Sequence, residues 1–456
     1  MSANKRQCVL FEGLFEKPMA IEFTRPGQSS DGGIVLLKAI DERLGLTERL
    51  AAAIRDTRQA GKVVHPIVTM LRERIFGIAC GYPNGNDAAR LTADPMMRLV
   101  SRDTAQEGVS LASQPTLSRL ENEVRRTDLL RMAYALTDTV IEDERRRRRG
   151  RPVRRITIDM DPTEDPTYGD QQLTFFNAYY DNWCYLPMVT TITFDGEPEQ
   201  IHVAPVLRPG NAKGSLGAIG ILKRLIARLR AAFPGVRILV RMDGAFATPE
   251  VFDWMEAHQL EYLVNMAKNE VLKRFAEPLM KKVRRQVRAS GQTERLYGEA
   301  SYKAGKWKHA RRVVIKAEVA VAPGKEPRDN PRFVIANLLL TPKHVYRRYG
   351  QRGDMENRIK ELHDGLRFDL TSCTSFFANQ FRLLLTSAAY VLYQQLRRLA
   401  AGTACAAAQV WTLRERLIKI GVTVRESVRR ILLEGPLAYP WFATWRRVAC
   451  RLGASP

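Results

Sequence analysis

From Arg154 onward the apolar residues stop recurring every three or four positions and begin to alternate, and this change of period constrains the fold more than any other feature. Ile156-Thr-Ile-Asp-Met-Asp161 alternates apolar and polar positions, which places Asp159 and Asp161 on the same side of a strand. Further strand-like runs follow at residues 175–180, 186–194 and 200–207. An amphipathic helix over 217–233 then carries Leu222, Leu225, Ile226 and Leu229 on one stripe. A short apolar strand leads to Asp243, a helix opens at Thr248-Pro249, and residues 261–267 read as one more strand. Strands followed by helix, strand, helix and strand predict an α/β layer built on a mixed sheet flanked by helices.

The flanking regions read differently. Residues 1 to about 140 are mostly helical by period, and residues 113–122 look like the start of a recognition helix with Arg119 pointing out, although an ordinary capped surface helix explains them as well. The run Arg145 to Arg149, followed by Gly150 and Pro152, marks a boundary: five consecutive arginines predict a solvated linker, with or without DNA beside it. A basic stretch over 281–288 and an alternating run from Arg312 predict a β-rich insertion. The chain turns helical again over 342–398, and a last helical segment runs from Val410 to the end. The expected division is 1–150, a helical DNA-end-binding region; 151–275, the first part of the core; 276–335, the insertion; 336–400, the final part of the core; and 401–456, a C-terminal helical region. No internal repeat is evident.

Charge narrows the partners. The chain has 72 Lys and Arg against 49 Asp and Glu, a formal net charge of +23, and a soluble protein that basic usually meets a polyanion. The six cysteines form no CxxC pair and read as reduced core thiols of a cytosolic protein. The first residues lack the apolar core of a signal peptide, and the longest apolar stretch, from Leu383, is too short to span a bilayer.

Three acidic residues could carry chemistry. Asp161 ends one strand, Asp243 ends another, and Glu356 sits on a helix. Carboxylates at strand ends converge above a sheet edge, and three together need cations to stay ionised. Mg²⁺ suits such a donor set, and two ions can activate a water or a 3′ hydroxyl for in-line attack on a phosphodiester. Around Glu356, Met355, Ile359, Leu362 and Leu366 form an apolar stripe, beside a polar stripe of Arg352, Glu356, Lys360 and His363. An ordinary salt-bridged helix face would look the same.

Several segments, taken in order, resemble the IS1380 family of insertion-sequence transposases within the IS4-like DDE group. They are Asp159 to Gln172, Tyr179-Tyr180, Leu207-Arg-Pro-Gly-Asn211, Arg241-Met-Asp-Gly-Ala-Phe246, Ala267-Lys-Asn269, Arg332-Phe-Val-Ile-Ala-Asn-Leu338, Tyr349 to Gly365 and Asn379-Gln-Phe-Arg382. The resemblance implies an RNase H-like catalytic core with a β-rich insertion before the Glu. It implies Asp161, Asp243 and Glu356 as catalytic metal ligands, with Asp159 the alternative first Asp. Two Mg²⁺ ions, or Mn²⁺ in their place, would be the cofactors. Tyr349, Arg352 and Glu356 fit the family's Tyr-x2-Arg-x3-Glu-x6-Lys signature, with Tyr349 and Arg352 implied as DNA contacts; His363 stands where Lys is usual and, when neutral, would be a weaker phosphate clamp, a role that Lys360 one turn away can take. Trp307 resembles in placement the aromatic that related transposases use to hold a flipped base, with a buried or turn-capping Trp as the alternative. Arg208 stands between core-edge support and DNA contact.

The implied activity is strand cleavage and strand transfer on double-stranded DNA, namely the element's terminal inverted repeats and the target. The enzyme would work as a homodimer on DNA in the bacterial cytoplasm, associated with the nucleoid. The rivals are a nuclease on the same core without strand transfer and an inactive DNA-binding derivative. No GxGxxG, GxxxxGK[ST] or HExxH motif occurs, so dinucleotide, ATP and zinc-protease chemistry is unsupported.

Overall fold

The computed structural model describes residues 13–22, 24–105, 108 and 110–455 with their side chains, and the backbone of 8–11. The Cys8 thiol and residues 1–7 lie outside the described residues. The N-terminal region is mostly helical as read, and two of its helices reach the core: α1 (Ile67–Cys80) and α2 (Arg126–Arg148). Short strands there were not anticipated; Met19–Glu22 pairs with Cys8–Phe11, and Gln28–Ser29 joins a sheet completed from the far end of the chain.

The arginine run is not a linker. α2 continues through Arg148, and the chain turns only at Arg149 and Gly150, with φ of 47° and 79°. Arg147 pairs with Glu144 at 2.7 Å and Glu197 at 2.6 Å. Arg148, whose side chain is only 10% exposed, pairs with Asp195 and Glu197 and covers the ring of Phe194. Five arginines in a row need not all face solvent when acidic partners sit at a neighbouring turn.

The core sheet has nine strands: β1 (Arg155–Pro162), β2 (Met188–Phe194), β3 (Ile201–His202), β4 (Arg237–Met242), β5 (Glu261–Met266), β6 (Glu294–Tyr302), β7 (Arg311–Ala322), β8 (Lys325–Asp329) and β9 (Arg332–Ala336). The order is β6-β7-β9-β5-β4-β1-β2-β3, with β8 on the other edge of β7's end. Within it β3-β2-β1-β4-β5 forms a unit in which β2 is antiparallel to its neighbours β1 and β3 while β4 and β5 run parallel to β1. This is the RNase H-like arrangement. Parallel neighbours need crossovers; α3 (Ala218–Ala232) precedes β4, and α4 (Pro249–Ala257) connects β4 to β5. Leu222, Leu225, Ile226 and Leu229 of α3 are all buried, as the stripe predicts.

Three expectations change here. The run at 200–207 yields only a two-residue strand and a single bridge from Val206 to Met188. The insertion is not a separate β unit: it opens with the long helix α5 (Glu270–Ser290), and its strands extend the core sheet because β9 pairs with both β5 and β7. The C-terminal region is not wholly helical, for Val422–Glu426 and Ile431–Glu434 form a hairpin that pairs with Gln28–Ser29.

The helical stretch over 342–398 is three pieces: α6 (Pro342–Gly350), α7 (Gly353–Lys360) running into a π turn at Glu361–Gly365, and α8 (Phe376–Leu399). The apolar stretch from Leu383 is the middle of α8, a buried helix packed between α1, α2 and β3. No helix among the described residues is long and apolar enough to cross a membrane. Of the described thiols, Cys80, Cys184 and Cys405 are buried, Cys373 is half-buried and Cys450 is exposed, so the core-thiol reading fails at Cys450.

The π turn is pinned from below. Glu361 is fully buried, forms an ion pair with Arg358, and accepts hydrogen bonds from Arg397, Tyr390 Oη at 2.6 Å and the Val410 amide at 3.2 Å. Removing it strands two cations in a low-dielectric interior. Glu361→Ala should therefore lower the stability of the chain by about 3–5 kcal/mol in urea unfolding, against a change within about 0.5 kcal/mol for an exposed helix residue such as Glu415→Ala.

Candidate active site

The ends of β1 and β4 meet the start of α7 at one edge of the sheet. Asp159 and Arg241 face each other across the parallel pair β1–β4 in direct register. Arg241 Nε and Nη2 reach the two carboxylate oxygens of Asp159, each at 2.7 Å, and Gln200 adds a third bond at 3.2 Å. The remaining arm, Nη1, donates to the carbonyl of Arg348 near the end of α6 at 2.7 Å. One guanidinium thus ties together the strand of the first Asp, the strand of the second and the helix leading to the Glu. Asp159 is 0% exposed and spends both oxygens on this network.

Asp161 lies one pleat further on, half-buried, and pairs with Arg352 Nη2 at 2.6 Å. Burial pushes its carboxyl up to about 7; Arg352 pulls the other way, while Asp243 and Glu356 push it higher. The three carboxylates predicted from the sequence therefore share one electrostatic neighbourhood. Asp243 follows β4, caps the single turn Gly244–Phe246 and accepts a hydrogen bond from the Ala245 amide at 2.9 Å. Glu356 is exposed on α7, in the first turn after Arg352.

Oxygen donors with three negative charges fit a hard divalent cation. Ligating geometry is not closed: among the described residues no group of three or more His, Cys, Asp or Glu side chains is arranged to hold a metal ion. The expectation of carboxylates already drawn together around shared ions is corrected in this respect. Like charges repel when nothing neutralises them, and at Asp161 the Arg352 guanidinium supplies the counter-charge.

The residues expected to grip DNA divide. Tyr349 is half-buried, and burial pushes its hydroxyl up to about 12, Arg352 opposing and Asp243 and Asp161 adding to the push, so it stays protonated beside the acidic group. Lys360 is exposed on α7. His363 falls in the π turn, which rotates it away from the polar stripe; its Nε2 meets Thr163 Oγ1 at 3.0 Å, and burial holds it below the ordinary imidazole range. It braces the end of β1 rather than replacing the family lysine.

Arg208 is 3% exposed and directs its donors to the carbonyls of Leu186, Lys213, Gly214 and Leu216, so it is core-edge support and not a DNA contact. Trp307 is 4% exposed, packed against Phe252 and Tyr302 with Arg311 over its ring, so it offers no free face to a base. Three motif asparagines are architectural. Asn269 caps α5 through the Leu272 amide, Asn337 bonds Tyr262 and Leu260 at the edge of β5, and Asn379 closes a loop on Cys373. The sequence signal for the Arg241–Asp159 pair was available: Arg-x-Asp243 mirrors Asp-x-Asp161 on a neighbouring strand.

A family model described as Transposase DDE domain group 1 matches residues 11–456 of the chain. No curated protein matches it. Among solved structures, the cryo-EM structure of a piggyBac transposase synaptic complex with hairpin DNA is similar, with a TM-score of 0.41 and 12% identity, over 94% of this chain and 85% of that one.

Two tests follow from the geometry. Arg241→Met leaves Asp159 buried without its partner and should cost about 3–5 kcal/mol in denaturant unfolding, far more than replacing an exposed arginine. Asp161 supplies the pH dependence. Its folded-state value near 7 lies above that of an unfolded aspartate, so the folded chain holds a proton that the unfolded chain has lost. Its contribution to stability is therefore complete below about pH 4, falls as pH rises towards 7 and is flat beyond. In metal-free protein, Asp161→Asn should remove that decline; an identical pH profile in the variant contradicts the assignment.

Proposed function

The chain belongs to the Transposase DDE domain group 1 family, and from that premise we propose that it cuts and rejoins DNA strands at the site formed by Asp161, Asp243 and Glu356. It acts, on this reading, as an insertion-sequence enzyme of the IS1380 kind, on terminal inverted repeats and target DNA in the bacterial cytoplasm. The observation that supports the proposal is that Asp243 and Glu356 both lie within electrostatic reach of Asp161 at the end of β1 and push its carboxyl up. The net charge of +23 supports a nucleic-acid substrate.

Asp161, Asp243 and Glu356 would hold two Mg²⁺ ions, which when bound activate a water or 3′ hydroxyl and stabilise the leaving oxygen. The protein's own groups do the positioning. Arg352 can pass from Asp161 to a phosphate oxygen, a partner its planar fork suits equally well. Tyr349, protonated beside it, donates a hydrogen bond to the same strand. Lys360, one turn beyond Glu356, adds positive charge where the backbone leaves the site. Arg241 and Asp159 keep the two strands in register while the strand is cut. The helix Gln114–Glu123, with Arg119 exposed, belongs to the end-binding region, and two copies of the chain pair two DNA ends.

The test is a strand-transfer assay with pre-cleaved inverted-repeat ends, supercoiled target and Mg²⁺ or Mn²⁺. Joined products are expected from the wild-type chain, with loss on the order of a hundredfold or more in Asp161→Asn, Asp243→Asn and Glu356→Gln. Cleavage without joining would point to a plain nuclease. Undiminished joining by Asp243→Asn would remove the site from the mechanism.

A further inference from the structure

Between β1 and β2 the chain makes a small separate sheet from Asp165–Pro166, Phe175–Asn177 and Asn182–Tyr185. Its outer surface is aromatic. Tyr168 is 91% exposed, Tyr179 88%, Trp183 55% and Phe176 49%. Phe176 and Trp183 are directly opposed across the strand pair, with ring centroids 6.3 Å apart. Large aromatics left in water on neighbouring positions mark a surface that something covers.

The flap is held rigidly and close to the acidic group. It begins four residues after Asp161, at Asp165, and Asn182 bonds Glu164 in that connection at 3.1 Å. Tyr180 packs inward on Cys184, Leu186 and Ala212, and its hydroxyl lies within electrostatic reach of Asp161. Tyr179 stands on Tyr180, edge to face at 4.8 Å, and looks outward. Beneath, the Leu207-Arg-Pro-Gly-Asn211 segment acts as a bracket. Arg208 donates to the Leu186 carbonyl, Asn177 donates to the Gly210 carbonyl, and a Cβ at Gly210 would sit 2.1 Å from the Cys184 carbonyl. Only glycine allows that approach. Gln171 and Tyr185 fasten the other side, to the loop before α8 and to Gln172. Lys213 is exposed between this bracket and the turn at Asp243, where Gly214 abuts Ala245.

We propose that this flap is a stacking platform for unpaired bases of the DNA strand that enters the Asp161–Asp243–Glu356 site, with Tyr179 and Trp183 as its contact rings. The inference rests on the proposed transposase activity. Every base has a π face, so a pre-set aromatic surface binds unpaired bases without reading sequence, while a fully paired helix keeps those faces hidden. Lys213, exposed just after the bracket, and a strongly basic chain complement the phosphate backbone that must run with such bases.

The experiment uses the full chain with Ca²⁺, which suppresses cleavage, and two DNA duplexes ending at the same inverted repeat. One is fully paired; the other carries two unpaired 2-aminopurines at its end. Wild type should bind the unpaired end more tightly, by on the order of tenfold per stacked base, and quench its fluorescence. Tyr179→Ala with Trp183→Ala should lose both the preference and the quenching while binding the paired duplex within about twofold. Tyr179→Phe, which keeps the ring, should behave as wild type. Preference and quenching retained in the double variant overturn the platform. So does a DNA-free dimer that the double variant abolishes, since a second copy would then be what covers the rings. If wild type binds the paired duplex but shows no preference for the unpaired end, the platform alone fails. If it binds neither duplex in Ca²⁺ and cuts neither when Mg²⁺ replaces it, the transposase reading fails with it.

Discussion

The buried pair of Arg241 and Asp159 governs the placement of everything chemical in this protein. Arg241 is 3% exposed and Asp159 0%. Two charges taken that far out of water are favourable only when their geometry is good and their remaining valences are met. Both conditions hold here, through the forked contact to Asp159, the bond from Gln200 and the arm to the Arg348 carbonyl. A slip of one residue between β1 and β4 would part these charges and turn Asp161 and Asp243 to the opposite face of the sheet. The pair thus makes the correct register the only comfortable one, two residues before each acidic group.

What the register delivers is an acidic group only partly offset, by Arg352 at Asp161. Burial, Asp243 and Glu356 push the Asp161 carboxyl up, and among the described residues Arg352, at 2.6 Å, is its ion-pair partner. Such a cluster is poor as a structural device, because it opposes folding wherever all its members ionise. It makes physical sense as a place that receives positive charge. The helix carrying Glu356 is positioned accordingly: its far end is fixed by the Glu361 network under the π turn, while Glu356 itself stays exposed at the near end.

Much of this was readable in the sequence where local pattern decides structure. The alternation at 156–161, the stripe of α3 and the strands before Asp243 and after α4 all form as their periods require. The same-side placement of Asp159 and Asp161 also followed from the pleat alone. What escaped depends on partners distant in sequence. Arg148 is drawn inward by Asp195 and Glu197, which the chain supplies only after β2. Trp307 is buried because Phe252 and Tyr302 happen to surround it, and no local pattern distinguishes that from an exposed ring. The insertion's strands alternate like those of an independent sheet, and only β9's pairing with β5 joins them to the core. At His363 a π turn breaks the i, i+4, i+7 count on which the polar stripe was built.

The account stands on Asp161, Asp243 and Glu356 closing around shared divalent cations once Arg352 lets go of Asp161. A crystal structure grown with Mn²⁺ and an inverted-repeat end, phased to locate anomalous scattering, examines this directly. The predicted result is manganese peaks bonded to oxygens of all three carboxylates, with Arg352 moved from Asp161 to a phosphate. Manganese bound elsewhere, or the Arg352–Asp161 pair intact beside DNA with no metal among the three, would contradict it.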